Sequence, residues 1–187
     1  MNPNRIKERL AELGCSVRSQ SAAEWTGKFQ LPDDLVEFYQ LVGPDSATIE
    51  AYGDPISLPS LAGLSAQQTG YRSHPKTGDR FDDWPDDWIV VADAAVDPFI
   101  YSNGKILFAE HGTGKWAPCT LFDNIYDMAW ALATIGLVVQ NAGTELTDDD
   151  FNIKPRYRDR AVSELSKSLD STIARLTISS LGWDDAG

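Results

Sequence analysis

The chain has 187 residues, a formal charge of −12 and an isoelectric point near 4.4. An apolar fraction of 42% with 10% aromatics is that of a folded domain, and the length suits a single domain, residues 1–187, with its own core. So acidic a surface repels phosphate backbones, which argues against direct nucleic-acid binding; it suits a basic protein partner, or solubility alone. Cys15 and Cys119 make no disulfide framework and are expected to be free, buried thiols. No basic start followed by an apolar run suggests a signal peptide, and no apolar stretch is long enough to span a bilayer, so a soluble, cytoplasmic protein is expected.

In chain order, residues 4–13 have Ile6, Leu10 and Leu13 at helical spacing, ended by Gly14. The run LPDDLVEFYQLVG is the clearest helix. Asp33 and Asp34 complement its N-terminal dipole, Leu35, Phe38, Tyr39 and Val42 form its stripe, and Gly43-Pro44 ends it. Short strands are expected at 48–52 and 56–58, a modest helix at 59–71, a polar loop over 72–87 and an apolar strand at 88–92.

Strands at 98–102 and 105–110 flank Asn103-Gly104, the strongest short hairpin signal because both residues tolerate positive φ. A two-residue turn sets Ser102 opposite Lys105, Tyr101 opposite Ile106, Ile100 opposite Leu107 and Phe99 opposite Phe108. Both faces of the hairpin are then apolar, so cover is expected on both sides. The run from Thr120 to Gly143 reads as one long helix with Phe122, Ile125, Leu132 and Ile135 on a stripe. An acidic linker, 144–155, leads to a single final helix with Val162, Leu165, Leu169, Ile173 and Leu176 on one face. Helices, then a meander of strands, then helices specify an α+β fold with an antiparallel sheet.

Several motifs bear on chemistry. Gly112-Thr113-Gly114-Lys115-Trp116 looks like the end of a phosphate-binding loop, but Ala109 stands where the first glycine belongs and Trp116 replaces the magnesium-binding hydroxyl. It is read as a loop after the hairpin. His74 and His111 are the only histidines, without zinc spacing, and Asp148-Asp149-Asp150 lacks the alternation of a calcium loop. A nuclease reading of Asp86 and Lys105 fails because Asn103 stands where the second acid is needed. No metal, cofactor or catalytic residue is expected.

Two acidic clusters remain. Continuing the hairpin outward puts Asp97 opposite Glu110, with His111 beside it, and like charges across a strand pair are destabilising. The pair could meet a cationic group of a partner or act with His111 as acid and base; alternatively the hairpin ends earlier, or Lys115 or an arginine neutralises the acids. In FDDWPDDW, Asp82, Asp83, Asp86 and Asp87 frame Trp84 and Trp88. Either the tryptophans anchor a basic partner while the acids steer it, or the loop is solvated and its tryptophans pack inward.

The order of these motifs resembles the SUKH superfamily, also called the SMI1/KNR4 group. Leu31, Pro32, Phe38 and Gly43 match its first helix, Trp88, Asp97 and Gly104 its strand region, and Phe122 and Leu132 its closing helix. The resemblance spans roughly residues 25–140; a helical extension, 144–183, lies outside it. It implies an antiparallel sheet meander flanked by helices, and a non-catalytic immunity protein that binds and neutralises a cognate toxin domain, often a nuclease. Asp82, Asp83, Trp84, Asp86, Asp87, Asp97 and Glu110 are the expected partner-binding face, acting by occlusion of a basic site. A regulatory or scaffolding binder, or a small hydrolytic enzyme built on Glu110 and His111, are the alternatives.

Overall fold

The structure is a computed structural model that describes residues 1–112 and 114–184. Among them are six α-helices and one six-stranded antiparallel sheet, an α+β fold as the alternation of patterns specifies. Helix α1 (Pro3–Glu12) and helix α2 (Asp33–Leu41) precede strands β1 (Ala47–Ile49) and β2 (Ile56–Leu58). A short helix α3 (Leu64–Gln67) leads towards β3 (Ile89–Ala94), β4 (Asp97–Ser102), β5 (Lys105–Phe108) and β6 (Cys119–Phe122). Helices α4 (Ile125–Ala142), α5 (Pro155–Leu165) and α6 (Ser171–Ser180) close the chain. The strands lie in sequence order, each paired with the next.

The β4–β5 hairpin has the expected register, from Ser102 opposite Lys105 to Phe99 opposite Phe108. Asn103 and Gly104 take φ of 50° and 84°, the left-handed pair that a two-residue turn requires. Phe99, Tyr101, Ile106 and Phe108 enter the main core with the helices, and Ile100 and Leu107 face a second cluster on the opposite side. Tyr101 donates its hydroxyl to Asp34 at 2.8 Å, tying the start of α2 to the sheet. Burial and then that carboxylate push the phenol up to about 12, so it remains a donor.

The expected helix from Thr120 is two elements. Cys119–Phe122 pairs with β5, and Asn124 then caps α4 by accepting the Asp127 N–H at 2.9 Å. Leu121 and Phe122 are both buried, so their burial is that of an edge strand meeting the core at its end, while helical spacing had read Phe122 as part of a stripe. Helix α4 is apolar around its circumference because α1, α5 and the sheet all pack on it.

The final helix is also divided. Asp170 caps α6 by accepting the Thr172 N–H at 2.7 Å, and the break after α5 rotates the stripe. Ala161, Leu165, Ala174, Thr177 and Ile178 are buried, whereas Leu176 is exposed. The segment 144–155 is more than a linker: Leu146 and Ile153 are buried beside a Thr147–Ile153 bridge, and Asp148 folds its side chain onto the N–H groups of Asp150 and Asn152. The expected helix over 59–71 shrinks to α3, and of the two free thiols Cys15 is half-buried while Cys119 is exposed on the edge strand.

Gly43 closes α2 at φ 59°, and a Cβ there would lie 1.7 Å from the Arg18 carbonyl oxygen. That carbonyl belongs to backbone and cannot rotate away. Gly43→Ala is therefore expected to lower the unfolding free energy by more than about 2 kcal/mol in urea titration. A change under half of that would mean the 18–43 pairing is loose.

Candidate functional site

The second face of the sheet is covered by a strap of chain, residues 68–88, rather than by a helix. Gln68 begins it. Its buried amide donates to the Val90 carbonyl at 2.9 Å and accepts the Val90 N–H at 3.0 Å. It stands in for a strand partner where β2, which reaches only Asp93 and Ala94 of β3, is absent. Trp84 is 1% exposed and packs with Val90, Ile100 and Ala109; Tyr71, Phe81, Trp88, Leu107 and Trp116 surround this cluster. Its indole N–H donates to the Trp88 carbonyl at 3.1 Å. The Arg72 guanidinium donates to the carbonyls of Asp86 and Trp88, and that of Arg80 to the Trp84 carbonyl. The polar loop expected here is thus polar on its outer side only.

Trp84 therefore cannot be a contact residue of a partner; its ring is the keel of the strap. The phase of a loop has no period, so sequence left inward and outward tryptophans equally open. Asp86 is exposed but paired with both Arg72 and Arg80. Asp87 accepts from Ser102 at 2.5 Å and from Asn103 at 2.8 Å, and so fastens the strap to the β4–β5 turn. Asp97 does not oppose Glu110 as an acid pair. Pairing ends near the Ala109 N–H to Pro98 carbonyl bond, and one Asp97 oxygen takes both the backbone N–H and Nδ1 of His111, each at 2.7 Å. The hairpin pairing has thus ended before Asp97 and Glu110, and His111 takes up Asp97.

The seven expected residues do not form one patch. Asp87 lies at the Ser102 end of β4 and Asp97 at its start, roughly 17 Å away by strand rise. What the fold does join is Asp83 and Glu110, which line one hollow with Lys115 and Trp116. Gly112, Gly114, Lys115 and Trp116 of the GTGKW run line the same hollow; Thr113 lies outside the described residues. Asp82, Asp83 and Glu110 are exposed and form no ion pair among the described residues. A neighbouring hollow is lined by Asp54, Asp97 and Glu110, together with the end of α6.

His111 and Trp116 also border a larger cleft of about 690 Å³ between α3 and the β3–β4 turn. Tyr71 and Asp93 line it, with Tyr71 donating its hydroxyl to Asp93 Oδ2. Sequence reading passed over Asp93. Its signal was available: one acid inside the apolar strand IVVADA.

Burial raises the Asp93 carboxyl above its ordinary value, against the lowering effect of the Tyr71 hydrogen bond and with a further rise from Asp97. Burial and the same contact push the Tyr71 phenol well above its own. An acid whose folded pKa is raised binds its proton more tightly when folded. Its ionisation therefore weakens folding as pH climbs from the unfolded value, about 3.9, through the folded one. Asp93→Asn keeps an acceptor for Tyr71 and removes that loss. The variant should melt above the parent at pH 7, with the gap closing near about pH 3, in calorimetry at both pH values. An equal or lower melting temperature at pH 7 would overturn this account.

Fold and site together define an α+β domain with a continuous antiparallel meander, helices on one face and an aromatic strap under an acidic surface on the other. No family model matches the chain, and no curated protein or solved structure matches it. Among the described residues, no group of three or more His, Cys, Asp or Glu is placed to hold a metal ion, and no helix is long and apolar enough to cross a membrane.

Proposed function

We propose that this is a non-catalytic binding domain of the SUKH immunity type, which neutralises a basic toxin domain by covering its active site. The observation that carries the reading is the convergence of Asp83 and Glu110 on one hollow, next to Asp82, on a strap held by buried tryptophan and two arginines. Lys115 shares the hollow, which stays net acidic, and a rigid scaffold makes cover by a partner's cation cheap in ordering entropy. The formal charge of −12 would steer a basic partner to the surface.

A pull-down of the tagged protein from its own host lysate, at low and high salt, tests this. A basic toxin-like protein should be retained, be released by salt, and lose its activity when mixed with equimolar domain. A retained protein without toxic activity would favour a regulatory binder. No partner at either salt would sink the reading.

A second reading rests on the Asp97–His111 pair at 2.7 Å, an arrangement that orients an imidazole for acid–base work. It ranks lower because neither hollow bordered by His111 has a serine or cysteine among its described lining residues. A bell-shaped pH–rate profile lost in His111→Gln would move it to first place.

A further inference from the structure

The 690 Å³ cleft has a chemistry distinct from the open acidic surface. Asp93 is only 7% exposed and lines the cleft; Tyr71 engages its Oδ2, and Oδ1 has no hydrogen bond among the described residues. No described lysine or arginine lines that cleft, and the histidine that does, His111, is engaged by Asp97. The walls are aromatic. The Tyr71 and Trp116 rings lie 5.8 Å apart at 54°, and both pack on Trp84, which holds them in place. Val96, 46% exposed, supplies an apolar lip, and Gln67 and Thr69 supply polar groups at the rim. Asp97 lines the neighbouring hollow and not this cleft, and its Oδ1 holds His111.

We propose that this cleft is a socket for a guanidinium group, the arginine side chain of the basic partner, with Asp93 as its counter-charge and Tyr71 and Trp116 as its stacking walls. The inference rests on the function proposed above and names the group that the partner must present. A buried carboxylate calls for a donor that brings its own charge. Aromatic walls favour the planar, weakly hydrated guanidinium over the compact ammonium of lysine. The Val96 lip suits the aliphatic arm of arginine. The same protein already uses such stacking internally, with the Arg72 guanidinium 4.4 Å from the Phe29 ring centre.

The probe is an acetylated, amidated Gly-Arg-Gly peptide, with its citrulline twin as the uncharged isostere, followed by tryptophan fluorescence and calorimetry. The expected result is saturable binding of the arginine peptide with Kd on the order of 1 mM, and at least about tenfold weaker binding of the citrulline peptide. Asp93→Asn should weaken the arginine peptide by about tenfold or more. Ala66→Trp, at an exposed position on the rim, should do the same without altering the melting temperature, which guards against a folding defect in the first variant. Equal binding of the two peptides, no binding of either, or unchanged affinity in both variants would overturn the socket. Binding of free agmatine with none of the capped peptide would overturn it in favour of a small-molecule site. The two proposals also separate: if reversal of Asp82, Asp83 and Glu110 releases the partner while Asp93→Asn leaves peptide binding intact, the socket fails and the function stands. The opposite pair of results would keep the socket and sink the acidic face.

Discussion

Trp84→Ala is expected to lower the unfolding free energy by about 3–5 kcal/mol, and the melting temperature by roughly 10 °C. The ring is 1% exposed and has aromatic neighbours on several sides, with Tyr71, Trp88 and Trp116 centroids at 5.8, 5.2 and 5.8 Å. Its removal leaves a cavity between strap and sheet and deletes the indole donor to the Trp88 carbonyl. Tyr71, Phe81 and Trp88 of the strap pack around that ring and would lose their common support. Partner binding should fall as well, because Asp82 and Asp83 would lose their fixed position and not because a contact is lost. Trp84→Phe should recover most of the stability, since it restores most of the buried area. Urea titration of the three proteins measures this; a loss below about 1 kcal/mol for the alanine variant would mean the strap is not held by its keel.

Replacing Asp82, Asp83 and Glu110 together by lysine should weaken binding of the cognate partner by about a hundredfold or more, mostly through slower association, while leaving the melting temperature unchanged or slightly raised. Stability is spared because the three side chains are exposed and form no ion pair among the described residues. The effect should shrink as salt rises, since surface charges are screened over about 8 Å at physiological ionic strength. Association kinetics at several salt concentrations would measure it, and an unchanged Kd would remove the acidic surface from the mechanism. Asp86 and Asp87 are poor choices for the same experiment. They hold Arg72, Arg80, Ser102 and Asn103, so their loss would disturb the strap itself.

The contrast between these acids shows what could be read in advance. Six of the seven expected contact residues are carboxylates and the seventh, Trp84, is expected as an aromatic anchor, and the structure gives them different tasks. Trp84 is core, Asp87 is a clasp, Asp86 is paired, and Asp97 orients His111. Asp82, Asp83 and Glu110 are exposed and form no ion pair among the described residues. Asp93 and Tyr71 were missed because a lone acid in an apolar strand has no motif, and its meaning depends on a tyrosine 22 residues away. The helix misread from Thr120 fails for a related reason. Apolar residues at helical spacing also occur where an edge strand runs into a capped helix, and only the partner strand β5 distinguishes the two.

The chain by itself determined what depends on neighbouring residues. Asn103-Gly104 sets the hairpin register because positive φ is a local steric matter, Gly43 ends α2 for the same reason, and apolar residues at successive positions along 98–108 require cover on both faces of the sheet. Only the tertiary structure decided which side of the strap is buried, which carboxylates are neutralised and where a cleft opens. Those outcomes hang on contacts between distant segments, such as Arg72 with Asp86, Asp87 with Ser102, and Trp116 with Trp84. A carboxylate's availability is set by the partners that reach it in space, and no local pattern in a loop without periodicity records them.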